Sequence, residues 1–153
     1  MIGPNNSEHV SEVLEKVRKI GTTAGYELVV DESGDLLVAP FIMPDGRAQT
    51  VYIQYRGQTP DGKDIISFLS PCLEIKSGIL KGLRKNQAVD LLRRNSNLFF
   101  GHFGLFEFRG AEVVMSSSSQ ILETMDDEEF QVHINYVATV ADSYEREVGQ
   151  DRF

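Results

Sequence analysis

The sequence predicts one α+β domain, in which an antiparallel sheet of about five to six strands packs with three helices. Three observations predict this class: helical spacing of apolar residues near both ends of the chain, alternating runs between them, and turn residues at short intervals. The predicted order is α-β-β-β-β-α-β-β-α. The predicted domain covers residues 1–153, with an ordered core over about 7–148.

A first helix is predicted over residues 7–20. Ser7 is a suitable N-cap, and Gly21 is expected to end the helix. The apolar residues between them recur at intervals of three and four, which places them on one helical face: Val10, Val13, Leu14, Val17 and Ile20.

Four strands are predicted next. Apolar runs over 26–30 and 36–41 surround a turn-forming segment and therefore predict a hairpin. Residues 49–56 alternate between apolar and polar side chains, as in a strand with one buried face. A fourth strand is predicted over 65–69, with an uneven continuation past Pro71 to Ile75.

A second helix is predicted over about 84–94, with Ala88, Leu91 and Leu92 facing inward. Strands over 103–108 and 111–115 then predict a hairpin. The four serines at 116–119 are expected to form an irregular exit from the second strand.

The last helix has the clearest pattern. Acidic residues at 126–129 predict its first turn, because free N–H groups and the helix dipole favour negative charge there. The apolar stripe that follows predicts a helix facing the core: Phe130, Ile134, Val137, Ala141, Tyr144 and Val148.

Composition limits the function classes. The 153 residues are 41% hydrophobic and carry a formal net charge of −8, which disfavours binding to nucleic acid or to an anionic membrane surface. No apolar run approaches the roughly 20 residues that span a bilayer, and residues 1–6 lack the features of a signal peptide. A cytoplasmic location is expected. Cys72 is the only cysteine, so an intrachain disulfide is excluded.

The sequence predicts no enzyme, no cofactor and no metal site. Asp31-x-Ser33-x-Asp35 is similar to the opening of a calcium loop, but the rest of that pattern is missing, so a plain turn is favoured. Cys72 is expected to be a buried packing residue. No nucleophile elbow or phosphate-binding glycine loop is present. The histidines lack zinc-site spacing: His9, His102 and His133.

Two features point to a partner surface. In the second hairpin, Phe103 and Leu105 point to one face while Phe106 and Phe108 point to the other, so both faces are apolar. Self-association, a bound peptide or burial within the monomer would each explain this.

The middle of the chain is also basic, whereas residues 107–151 are acidic. This asymmetry indicates either a docking surface or two solvated helix faces. The basic residues of the middle segment are Lys76, Lys81, Arg84, Lys85, Arg93 and Arg94.

In this order of elements, the chain resembles the bacterial YbjN-like family, which shares the type III secretion chaperone-like fold. The resemblance is carried by Leu91-Leu92 with Asn95, by the segment from Leu98 through Phe103, by the hairpin to Met115 and by the acidic start of the final helix. It implies a compact α+β domain, often a homodimer with the middle helix and following hairpin near the interface. It also implies binding of other polypeptides.

We therefore expect a non-enzymatic protein-binding module, a homodimeric chaperone-like adaptor or regulator. The candidate partner or dimer contacts are Leu92, Arg93, Phe99, Phe103, Leu105, Phe106 and Phe108. The alternative hypothesis is a small-molecule or anion sensor or enzyme, which would use Arg93, Arg94 and His102 at the junction between the second helix and the next strand.

Overall fold

A computed structural model of the chain describes residues 7–75 and 83–148. Within these residues the chain forms three α-helices and six strands in the predicted order. The helices are α1 (Ser7–Thr23), α2 (Lys85–Asn95) and α3 (Asp127–Val148). The strands are β1 (Val29–Val30), β2 (Leu36–Ile42), β3 (Ala48–Gln58), β4 (Asp64–Ile75), β5 (His102–Phe108) and β6 (Ala111–Ile121).

All six strands belong to one antiparallel sheet with the order β1-β2-β3-β4-β6-β5. The predicted α+β class is therefore confirmed, and the uneven passage of β4 past Pro71 is a register shift between Pro71 and Leu73 against β6. The two-residue β1 lies at one edge of the sheet. Strand β5, which follows α2, lies at the other edge.

Helices α1 and α3 cover one face of the sheet. The apolar stripes predicted for both helices face this core, where Phe68 of β4 meets Phe130 of α3 with their ring centroids 5.3 Å apart. The most deeply buried members of this cluster come from both helices and from three strands: Val13, Val17, Leu37, Val51, Ile53, Ile66, Phe68, Phe130, Ile134 and Val137.

The opposite face carries a second apolar cluster. Met115 is fully buried there although no helix among the described residues is part of this cluster. Half-buried Tyr52, Phe106 and Phe108 pack against it. A Cβ on Gly104 would lie 2.8 Å from the Phe106 ring, so the glycine is what allows this ring to lie along the strand. The face with Phe106 and Phe108 is thus half-buried within the monomer, whereas on the other face Phe103 is buried and Leu105 is exposed.

Two local predictions about the course of the chain were wrong. Gly21 lies inside α1, where a Cβ would come within 2.5 Å of Leu28, so it serves close packing rather than helix termination. The helix instead ends before Gly25, which has a φ of +91°. The serines at 116–119 continue β6 as a regular, mostly buried strand, because their backbone pairs with β4 over this whole stretch. The hydroxyls of Ser119 and Ser67 on these two strands lie 2.6 Å apart.

Charged side chains tie the β2–β3 turn to the end of α3. Arg47 Nε donates to Asp142 at 2.7 Å, and its guanidinium lies 3.6 Å from the fully buried Glu145. Arg146 also bonds to Asp45 and to Asp142. Of the basic residues singled out in the sequence, Lys76 and Lys81 lie outside the described residues. No described helix is long and apolar enough to cross a membrane.

Candidate functional site

The structure distributes the seven candidate contact residues over four places. Leu92 and Leu105 are exposed at the α2–β5 groove, and buried Phe103 helps to line it. Arg93 is exposed on another surface of α2, beside Lys85 and Val89. Phe106 and Phe108 belong to the cluster on the opposite face of the sheet. Phe99 lies on the loop between α2 and β5, and its side chain is 90% exposed. The expectation that Leu92 faces inward was wrong: only Leu91 of this pair is buried.

The α2–β5 groove is a small apolar cavity. Its volume is about 220 Å³, and it opens between the exposed side chains of Leu92 and Leu105. Leu91 and Phe103 form part of its wall and also pack against Tyr144 of α3. The groove is therefore held in place by the hydrophobic core. Its lining residues are Leu83, Ala88, Leu91, Leu92, Asn95, Phe103, Gly104, Leu105 and Val114.

Asn95 connects the end of α2 to the free edge of β5. Its side-chain amide accepts from the backbone N–H of Phe103 at 2.6 Å and donates to the carbonyl of the same residue at 3.1 Å. Phe103 therefore points its backbone groups away from β6. Because backbone direction alternates along a strand, Leu105 and Glu107 also face outward, and no described residue pairs with their N–H and C=O groups.

The arginine–histidine junction does not form a common site. Arg94 donates to Asp90 at 2.8 Å and to Glu147 of α3, and these hydrogen bonds, Glu147 first, raise the pKa of its guanidinium. An incoming anion would have to displace two carboxylates. Arg93 is exposed on α2, and His102 occupies the strand face opposite Phe103.

A second concave site involves residues that the sequence analysis did not single out together. The loop residues Phe99 and Phe100 line a cleft of about 720 Å³ with the start of α3. His133 also lines it, although its side chain is only 8% exposed. Burial lowers the pKa of His133, and the negative charge of Glu129 opposes this shift. The adjacent exposed phenylalanines were the available sequence signal, but their position against α3 depends on tertiary contacts.

Cys72 lies in the core as predicted. The thiol is fully buried and donates to the carbonyl of Val114 at 3.2 Å. Burial, reinforced by the charge of Glu145, raises its pKa, which keeps the thiol protonated and unreactive. Across the described ranges, the structure contains no group of three or more metal-ligating side chains.

No protein-family model matches this chain, and no curated protein sequence matches it. A chain in the solved structure of the HopA1-SchA chaperone-effector complex is similar in fold, with a TM-score of 0.52 and 11% sequence identity. The match covers 89% of this chain and 95% of that chain. The chain therefore has the predicted type III secretion chaperone-like fold.

We expect Asn95→Ala to destabilise the protein by about 1–2 kcal/mol, because two partly buried backbone groups of Phe103 lose their partner. Urea unfolding measures this loss, and amide hydrogen exchange should show weaker protection at Phe103. Asn97→Ala is the matched control, since Asn97 is exposed and its amide only donates to Arg93. Equal stability of the two variants would contradict the edge-pairing role of Asn95.

We also expect a pH effect from His133. Its pKa is lower in the folded protein than in the unfolded chain, so the unfolded chain takes up the proton first as the pH falls. The free energy of unfolding should therefore fall as the pH drops below about 6.5.

Urea unfolding at about pH 7.5 and about pH 5.5 checks this. The wild type should lose more stability between these values than His133→Gln, whereas His102→Gln, which changes an exposed histidine, should behave as the wild type. If the stability of His133→Gln and of the wild type depended on pH in the same way, His133 would not be the source of the effect.

Proposed function

We propose that this chain is a non-enzymatic protein-binding module, a homodimeric chaperone-like adaptor or regulator of the bacterial cytoplasm that binds a polypeptide segment. The observation that carries the proposal is the apolar α2–β5 groove beside an open strand edge. The proposal includes membership of the YbjN-like family and a single domain over residues 1–153.

The α2–β5 surface combines three properties of an association site. Leu92 and Leu105 are 69% and 49% exposed, which is unfavourable for side chains of this size in water. They border a preformed groove whose lining is almost entirely apolar. The backbone of Leu105 and Glu107 is available for pairing on the same side. One surface thus offers both side-chain and main-chain contacts.

A second copy of the chain fits these properties. In an isologous dimer each copy contributes the same surface. Leu92 of each protomer would then approach the groove of the other protomer. Arg93 would lie at the rim, where it adds charge contacts at little desolvation cost. Fold similarity to a chain of a chaperone-effector complex supports the polypeptide-binding part of the proposal.

We expect the wild type to be a dimer at about 100 μM and Leu92→Asp to be a folded monomer. A charge would enter an apolar contact, while the monomer core is untouched because Leu92 is exposed. Size-exclusion chromatography with light scattering measures the mass. Ile42→Asp is the matched control, since Ile42 is equally exposed, at 70%, but lies in β2 near the opposite edge of the sheet.

A wild-type monomer at that concentration would remove the dimer from the proposal. Dissociation by Ile42→Asp as well as Leu92→Asp would remove the α2–β5 surface as its interface. The polypeptide-binding part is tested with an array of synthetic peptides that differ in apolar content at equal net charge. Selective retention of the apolar peptides is the expected result, and retention of none would refute this part.

A further inference from the structure

The cleft between the Phe99–Phe100 loop and α3 is rigidly built, although Phe99 is almost fully exposed. The backbone N–H of Phe99 donates to the hydroxyl of Tyr136 at 3.0 Å, and the Ser118 hydroxyl donates to the Phe100 carbonyl at 3.1 Å. The Phe100 ring packs edge-on against Tyr136, with centroids 5.5 Å apart. The exposed Phe99 ring is therefore presented by a fixed loop rather than by a freely moving one.

Gly101 brings this loop close to the sheet. A Cβ at this position would lie 2.2 Å from the backbone carbonyl oxygen of Ser117, a distance that no other residue could accommodate without movement of the backbone. The loop therefore lies directly against β6. Its two phenylalanines, 90% and 56% exposed, are held beside the first turns of α3, where Val132 is also 41% exposed.

The charged groups of the cleft are all carboxylates, and the neutral polar side chains of Ser119 and Gln120 line it as well. Asp126, Glu128 and Glu129 line it, and no described lysine or arginine forms an ion pair with any of them. Asp126 and Glu129 each use one oxygen to cap the helix, through bonds of 2.8 and 3.2 Å to each other's backbone N–H groups. Their remaining oxygens and both oxygens of Glu128 remain available to a ligand.

His133 adds a ring nitrogen that can accept a hydrogen bond to the same cleft. The Phe100 carbonyl can only accept, so the single proton of the Ser118 hydroxyl goes to it. The Nδ1 atom of His133, which contacts the same hydroxyl oxygen, must then be the donor in that bond. In the neutral ring this leaves Nε2 unprotonated, and no described residue donates to it.

We infer that this aromatic cleft binds an arginine side chain of the polypeptide partner, next to an apolar residue that covers Phe99. A guanidinium carries several N–H donors for the carboxylates and for His133 Nε2, and its planar face stacks on phenylalanine rings. A lysine ammonium is less suited because it cannot stack in this way. The net charge of −8 would also attract a basic segment. This inference rests on the proposed polypeptide-binding function.

The test uses the full-length protein and two fluorescein-labelled synthetic peptides with the core Ser-Leu-Arg-Leu-Ser, one of which has citrulline in place of arginine. Citrulline keeps the shape and removes the charge. We expect the arginine peptide to bind about fivefold more tightly in fluorescence anisotropy, because a guanidinium between carboxylates and a ring makes charge-assisted contacts. Equal affinity for the two peptides would overturn the inference.

Matched variants locate the binding. Glu128→Gln should weaken binding of the arginine peptide alone, and Phe99→Ser should weaken both peptides. Their controls are Asp127→Asn, in the same helical turn outside the cleft, and Ile42→Ser, an exposed apolar residue elsewhere; both should leave the affinities unchanged. Equal losses in a variant and its control would refute the site.

Amide chemical shifts separate this inference from the proposed function. Addition of the arginine peptide should shift the amide signals of Phe99, Phe100 and His133, and shifts confined to α2 and β5 would overturn the cleft as the site. If neither peptide binds but the wild type is a dimer that retains apolar peptides, the arginine site alone fails. A monomeric wild type that binds the arginine peptide in the cleft would remove the dimer and leave the site.

Discussion

The close packing of α3 on the centre of the sheet is the constraint on which both candidate surfaces depend. Small residues on the two sides allow the helix to approach the strands: Ala138, Ala141, Ser70, Ser116 and Ser118 are all almost completely buried. Successive turns of α3 then hold the neighbouring segments. His133 and Tyr136 hold the Phe99–Phe100 loop, while Tyr144 packs against the wall of the α2–β5 groove. A change in the position of this helix would alter both surfaces together.

The charges along α3 divide the molecule into a neutralised end and an acidic end. Near the C-terminal end of the helix, Asp142 bonds to Arg47 and Glu147 bonds to Arg94, so the basic helix α2 is partly used within the chain. At the N-terminal end, the carboxylates at 126–129 have no lysine or arginine partner among the described residues. The intramolecular pairs explain part of the charge asymmetry in the sequence. The carboxylates without such a partner lie at the start of α3, beside the exposed phenylalanines.

Element types were predictable from local patterns, because helical and strand periodicities record which side is buried. The serine stretch in β6 was not, since its strand character comes from pairing on both sides with β4 and β5 rather than from propensity. Leu92 could be singled out, but its exposure depends on which face of α2 meets β5. Similarly, Phe99 and Phe100 were visible as an aromatic pair, whereas the cleft required contacts with Tyr136 and His133, more than 30 positions away.

The two edges of the sheet differ in a way that favours association at β5. The carbonyl of Leu36 in β2 accepts a hydrogen bond from Asp31 on the β1 side of the strand. Because backbone direction alternates along a strand, Pro40 faces the same side, beyond the short β1, and it has no N–H group to offer at this free edge. A proline there prevents regular pairing with another chain. At the other edge, the Asn95 side chain bonds only to the backbone N–H and C=O groups of Phe103. The backbone groups of the next outward-facing residues lie beside an apolar groove, and no described residue pairs with them. One edge is therefore protected by the sequence, while the other is available to a partner over a short, defined stretch.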